Sequence, residues 1–332
     1  MLFRTWTVAG AIAAGLALAG TPPAVADIVI YNAQHESLTK AWIEAFTKET
    51  GIKATYRQSS DLELGNVIVQ EGRNSPADVF LTENSPAMAL VDNAGLLATI
   101  DAATLALVPA EFRAGTGRWV GIAARTTVFV YNKAKVPADK LPKSMLDLAD
   151  AAWKGRWAAA HTGADFQAIV AALLELKGEA ATAAWLNGMK ANATKLGGNA
   201  AVMRAVNAGE FDGGIIYHYY YAQDQARTGE GSKNVALHYF KNGDPGAFVS
   251  VSGGGVLASS KNQQEAQAFV KWTLSKTGQD IMTKSALEYA VATGAPSHPA
   301  LVPLDTLQAP RLDPAKLASK KVTEMMLAAG LI

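Results

Sequence analysis

The stretch "GGIIYHYYYAQDQ", residues 213–225, sets Tyr217, Tyr219, Tyr220 and Tyr221 around His218, four of the nine tyrosines in the chain. A simple core strand would alternate apolar and polar residues, and this run does not. Two further groups follow short apolar runs: His35 in "IVIYNAQHES" and Glu83 in "ADVFLTENS". Singly, each has a plain structural reading. A loop histidine is usually solvated or hydrogen-bonded. Glu83, ahead of Asn84, Ser85 and Pro86, suits a helix start, and tyrosines are often core residues with a wet tip. Together, one imidazole, one carboxylate and two phenols make a mixed nitrogen–oxygen donor set. The chain has no cysteine, which disfavours copper(I) and iron–sulfur chemistry, and calcium would prefer carboxylates and carbonyls. A phenol, with a free pKa of about 10, is a poor ligand until a hard, highly charged cation drives its proton off. Ferric ion fits: two phenolates and a carboxylate neutralise its charge. Neighbouring helical residues point about 100° apart, so Tyr219 and Tyr220 can fill adjacent positions of an octahedron. A helix N-terminus there favours the phenolate form.

These residues need elements that aim them at one point. "DIVIY" (27–31), "IKATY" (52–56) and "ADVFLT" (77–82) read as strands separated by helices. The first helix places Leu38, Trp42 and Phe46 every four residues and ends at Gly51, a suitable C′ glycine. A second helix starts near Asp61, and "PAMALVDNAG" reads as a third. This βαβαβ rhythm implies a mostly parallel sheet covered by helices, with ligands bound beyond the C-terminal ends of its strands. "VGIAARTTVFVYN" (120–132) is long enough to cross between two lobes. "RWAAA" (156–160), helices near 165–176 and 180–191, and "GGIIY" (213–217) build a second α/β unit. "GAFVSVSGGGVLAS" (246–259) reads as a return strand and residues 262–282 as one or two helices. "SGGGVL" lacks the Lys-Ser/Thr of a phosphate loop and is expected to be a hinge or tight turn. Neither a His-Glu-x-x-His nor a Gly-x-Ser-x-Gly motif occurs.

The first 26 residues read as a secretory signal: Arg4, an apolar run over 8–19, and an Ala24-Val25-Ala26 cleavage site, so a mature chain is expected from Asp27. About 300 remaining residues suit two lobes, expected over 27–125 plus 250–300 and over 126–249 plus 301–332. With 30 Lys+Arg against 29 Asp+Glu, no basic face is indicated and no nucleic-acid partner is expected.

The segments "YNAQHE", "GRNSPADVFLTEN", "VFVYNKAK", the tyrosine run, "GDPGAFVSVSGGGVL" and "SKNQQEAQAFVKW" resemble, in order, the periplasmic ferric-ion-binding proteins of bacterial iron(III) ABC importers. The resemblance runs from about Asp27 to the C-terminus. It implies an α/β, two-lobed periplasmic-binding-protein fold, with mixed sheets flanked by helices and hinge strands between the lobes. It implies a monomeric periplasmic receptor that is not an enzyme and hands Fe³⁺ to an inner-membrane permease. By the same resemblance, His35, Glu83, Tyr219 and Tyr220 hold the metal, and a synergistic phosphate or carbonate binds at Thr162, Gly163, Ala164 and Asn199, with Arg125 near an anion-binding arginine of some members. An asparagine frequent two residues before the tyrosine pair is Tyr217 here, which leaves the anion open. Tyr221 is expected to pack. His161 and His218 are expected to support the site from behind or to face solvent. Two other readings stand beside this one: a receptor for an organic cation such as a polyamine or thiamine, and an exported metal-dependent enzyme. The first would want carboxylates and aromatic faces, the second an open coordination position and a general base.

Overall fold

The computed structural model describes residues 27–317 and 319–332; the proposed signal segment lies outside them. The chain runs β1 (Ile28–Asn32), α1 (Glu36–Thr50), β2 (Ala54–Gln58), α2 (Asp61–Glu71), β3 (Val79–Leu81), α3 (Ser85–Asn93) and a single turn, α4 (Ala102–Leu105). The long β4 (Trp119–Asn132) follows, then β5 (Trp157–Ala159), α5 (Ala164–Asn192), β6 (Ala193–Lys195) and α6 (Asn199–Ala208). After these come β7 (Gly213–Tyr217), α7 (His218–Arg227), β8 (Val235–His238), β9 (Val249–Val256), α8 (Gln263–Thr273), α9 (Lys276–Ser285) and α10 (Ser319–Ala328). The path of strands is β2-β1-β3-β9-β4-β7-β5-β6, with β8 on β4.

β4 joins two bodies. Its first half, through Thr126, pairs antiparallel with β9; from Thr127 onward it pairs with β7 and β8. One body is therefore built on β2, β1, β3 and β9, the other on β7, β5, β6 and β8. The sheets are mixed rather than mostly parallel. β1 runs parallel to β2 and β3, and β5 to β6 and β7. The return strand β9 and the crossing strand β4, by contrast, enter antiparallel.

Local sequence explains the elements that hold the site. In α1, Leu38, Trp42 and Phe46 are buried in one stripe, and Gly51 ends the helix at φ 76°, its N–H returned to the Thr47 carbonyl. Burying each large side chain contributes about 1.5–3 kcal/mol, and Trp42 Nε1 also donates to the Gly278 carbonyl of α9 at 2.8 Å. The 29-residue α5 is two helical runs broken at Gly178, φ 77°, where the sequence placed a gap. The second body's core gathers Trp157, Phe166 and Trp185.

The glycine run of β9 is strand rather than a tight turn. Gly253 and Gly254 lie inside the strand, where a Cβ would stand 3.0 Å from Met88 and 2.9 Å from Ile122. They are glycines because α3 and β4 pack directly onto their backbone.

Candidate functional site

Each of the four candidate metal ligands sits just past the end of a strand. His35 follows β1 and precedes α1, Glu83 follows β3, and Tyr217 closes β7 so that Tyr219 and Tyr220 occupy the first turn of α7. Asp61 fixes Glu83: its buried carboxylate accepts the backbone N–H groups of Glu83 (2.9 Å) and Asn84 (3.0 Å). The structure brings His35, Glu83, Tyr219 and Tyr220 together. His35 Nδ1 lies 3.0 Å from Glu83 Oε1. The imidazole meets the Tyr219 ring edge-on with centroids 5.2 Å apart, and the Tyr219 and Tyr220 rings stack at 4.3 Å. The Tyr219 hydroxyl lies beside that of Tyr220 and makes no well-formed hydrogen bond among the described residues. Tyr221, like Tyr220, packs against the apolar cluster of the second body that includes Val202 and Val206.

Three participants were not singled out in the sequence. Glu288, fully buried, stands 3.3 Å from His35 Nε2 and accepts a 2.7 Å hydrogen bond from Arg125 Nη2. Asp165, in the first turn of α5, accepts from Asn84 Nδ2 at 3.0 Å and from Asn199 Nδ2. Asn84 is therefore a junction: its Oδ1 also receives Ser250 Oγ at 2.7 Å and lies 3.3 Å from Tyr217 Oη. These contacts close the first body onto the second.

The residues assigned to an anion take varied places. Gly163 caps α5, which opens at Ala164, but the Gly163 N–H is given to the Ala160 carbonyl, and Thr162 is exposed. Asn199 serves Asp165. Arg125, 0 % exposed, donates from Nη2 to Glu288 and to Ser252 Oγ, both at 2.7 Å. Its Nη1 lies 3.8 Å from Glu83 and 3.9 Å from Asp165, and its guanidinium lies 5.3 Å from the Tyr219 ring centre. Neither histidine faces solvent. His161 is 7 % exposed, and its nitrogens have no hydrogen-bond partner among the described residues. His218 is fully buried and hydrogen-bonded.

Burial and charge set the protonation of this cluster. Burial pushes the Tyr219 phenol well above its ordinary value, helped by Asp165 and Glu83. Tyr220 is raised in the same way. Burial lifts Glu83 to about 7 against the pull of Arg125. For His35, burial opposes protonation, but Glu288 and Glu83 outweigh it and raise the imidazole. Burial alone would raise Glu288, yet Arg125 and His35 hold it down at about 2. Without a metal, the Arg125 guanidinium thus supplies positive charge between the carboxylates, and these carboxylates favour the protonated form of His35. Among the described residues, no three His, Asp or Glu side chains form a metal cage by themselves.

Because Arg125 is the buried counter-charge of Glu288, Arg125→Leu should destabilise the metal-free protein by roughly 3–5 kcal/mol, the usual cost of stranding one partner of a buried pair. Urea unfolding monitored by circular dichroism measures it. A loss under about 1 kcal/mol would show that the pair is dispensable.

The model for bacterial extracellular solute-binding proteins matches residues 74–316, well over half of the chain. This chain belongs to that family. It is 65% identical over 316 residues to the Fe(3+)-binding periplasmic protein of Serratia marcescens, covering 94% of each chain. It is 36% identical over 321 residues to the major ferric iron-binding protein of Neisseria meningitidis serogroup B, covering 95% of this chain and 96% of that one. Among solved structures, iron-bound HitA from Pseudomonas aeruginosa superposes with a TM-score of 0.88 at 41% identity, over 92% of this solute-binding protein and all of HitA. Trichodesmium FutA in complex with iron and citrate gives 0.81 at 28% identity, over 92% of this chain and 100% of that one. The α/β two-lobed architecture is that of periplasmic binding proteins.

Proposed function

We propose that this solute-binding protein is the periplasmic receptor of an iron(III) ABC importer, taking Fe³⁺ between its lobes and delivering it to an inner-membrane permease. The observation that carries this reading is the meeting of His35 and Glu83 from one body with Tyr219 and Tyr220 from the other, around a phenol that lacks a good partner. The relatives support it: one is an Fe(3+)-binding periplasmic protein and another a major ferric iron-binding protein. Binding by closure of two lobes about a hinge needs no reacting centre, so the protein acts as a carrier rather than an enzyme. An organic cation would be served by spread carboxylates and aromatic faces. Here Glu83, His35, Tyr219 and Tyr220 are gathered by contacts with one another, which favours a single small cation.

For the remaining coordination, the chain's own carboxylates are favoured over an added anion. Asn199 and Asn84 already donate to Asp165, and Arg125 to Glu288. Fe³⁺ and Arg125 would bring four positive charges against five from Glu83, Asp165, Glu288 and two phenolates, so a further anion would add to an existing excess. The reading with phosphate or carbonate keeps one specific observation: a cavity of ≈ 150 Å³ lined by Asp61, Asn84, Thr162, Ala164 and Gln167 beside the start of α5.

The experiment is to load the metal-free protein from a chelated ferric donor, with and without phosphate or carbonate, and to measure iron content and the visible phenolate-to-iron band. One Fe³⁺ per chain and a strong band are expected, with affinity the same in either medium. Asp165→Ala should make tight binding depend on added anion. Absence of a band would overturn the ferric reading. Anion dependence in the unaltered protein would restore the synergistic anion.

A further inference from the structure

α7 carries both tyrosines, and the residue just before them is tied to the other body. His218 Nδ1 accepts the Thr126 N–H at 3.2 Å, and Nε2 donates to the Leu287 carbonyl at 3.2 Å. A backbone N–H only donates and a carbonyl only accepts, so these two contacts set the tautomer. They also occupy both ring nitrogens, which removes His218 from the metal. About one turn further along α7, Gln223 Nε2 donates to the Ala286 carbonyl at 2.8 Å. The His218 ring rests on Tyr289, centroids 4.5 Å apart, and Tyr289 pairs with Ala124 of β4.

The points gripped are telling. Thr126 is where β4 changes partner from β9 to β7. Leu287 has φ 54°, a left-handed conformation that a leucine rarely adopts and that its surroundings must enforce. The residue after it is Glu288, which reaches His35 and Arg125. The turn that aims Glu288 is thus held from the opposite body by the helix that presents the tyrosines.

We infer that His218 is a positioning residue for metal capture. With Gln223 as a second arm, it clips α7 to the hinge strand and to the Ala286–Leu287 turn. Tyrosines from one lobe and the His35–Glu288 pair from the other then come into register only when the lobes are closed. The inference rests on the ferric reading of the site. Its consequence is kinetic: breaking the clip leaves every donor in place but lets the lobes part.

The test uses the full mature protein as wild type, His218→Phe, His218→Gln and Gln223→Leu, each loaded from ferric nitrilotriacetate. Three readouts are taken: the visible band, iron release into excess EDTA, and solution scattering of the metal-free form. His218→Phe is expected to keep the band position, to release iron about ten- to hundredfold faster, as loss of two buried hydrogen bonds implies, and to scatter as a more open molecule. His218→Gln, which restores a donor toward Leu287, should recover part of the slow release. A merely structural histidine would lower the melting temperature without that rescue. Wild-type release and scattering in His218→Phe, or no rescue by His218→Gln, would overturn the inference. Should His218→Phe fail to fold, Gln223→Leu decides: faster release supports the clip and an unchanged rate rejects it. A colourless wild type would instead reject the ferric reading, and the scattering of the metal-free variants would still judge the clip.

Discussion

Replacing Tyr219 or Tyr220 by phenylalanine is expected to abolish the visible band. It should also weaken Fe³⁺ binding by well over the roughly 10–100-fold that loss of a supporting group costs a metal site, while the fold persists. Each change deletes one oxygen and keeps the ring. Tyr219 would still meet His35 edge-on and stack on Tyr220, so packing is retained. Its hydroxyl makes no well-formed hydrogen bond among the described residues, and deleting a buried group of that kind does not cost stability. The metal-free Tyr219→Phe protein should therefore unfold at the same or a higher urea concentration than the parent. That result separates loss of a ligand from loss of structure. Tyr221→Phe should leave colour and affinity nearly intact, because the ring contacts that gather the site run from His35 to Tyr219 and on to Tyr220 and do not include Tyr221. Full colour in both Tyr219→Phe and Tyr220→Phe would remove the phenols from the coordination sphere, and with them the reason for reading the site as ferric.

The residues that could be singled out in advance were those at strand ends. His35, Glu83, Tyr219 and Tyr220 each follow a short apolar run, and the αβ architecture brings such positions to one edge. Asp165 was hidden because an acid in a helix's first turn satisfies the helix dipole without further purpose. Only the folded chain sets it against Asn84 and Asn199. Glu288 was less legible still. It follows α9 in "ALEYAVATG", where nothing in spacing or residue type signals a site. Its arrival depends on the left-handed Leu287 and on the pairing of Tyr289 with Ala124, both products of tertiary packing. The glycines of β9 misled for a related reason. A glycine run permits a turn, but here it admits Met88 and Ile122 against the strand. Periodicity found α1 and the break in α5, since those signals are local. The antiparallel entry of β4 and β9 is not local, and the alternation of strands and helices alone suggested a parallel sheet.

Loading with Fe³⁺ near neutral pH is expected to release more than two protons per metal. Both phenols are held above their ordinary value by burial and by the Asp165 charge, so each enters protonated and leaves as phenolate, giving two. The remainder comes from Glu83, with His35 adding to it. Glu83, lifted by burial to about 7, is about half protonated at pH 7. His35 is raised because the charges of Glu288 and Glu83 overcome its burial. Both must shed their protons to bind. Glu288, held at about 2 chiefly by Arg125, stays ionised and contributes none. The sign follows from linkage: the metal-free form binds more protons than the loaded form, so binding weakens as pH falls. The loss should steepen as pH falls through about 7 and be steeper below it, because Glu83 then adds its proton to those displaced. The measurement is calorimetric titration in buffers of different ionisation enthalpy, with the proton balance of the chelated ferric donor subtracted. Net release near zero would show that the phenols are not ligands. Release of only two would leave the phenols in place and show instead that His35 and Glu83 stand ready, neutral and ionised, before the metal arrives. The carboxylates and Arg125 would then be arranged to hold an empty site open, rather than to stand in for its cation.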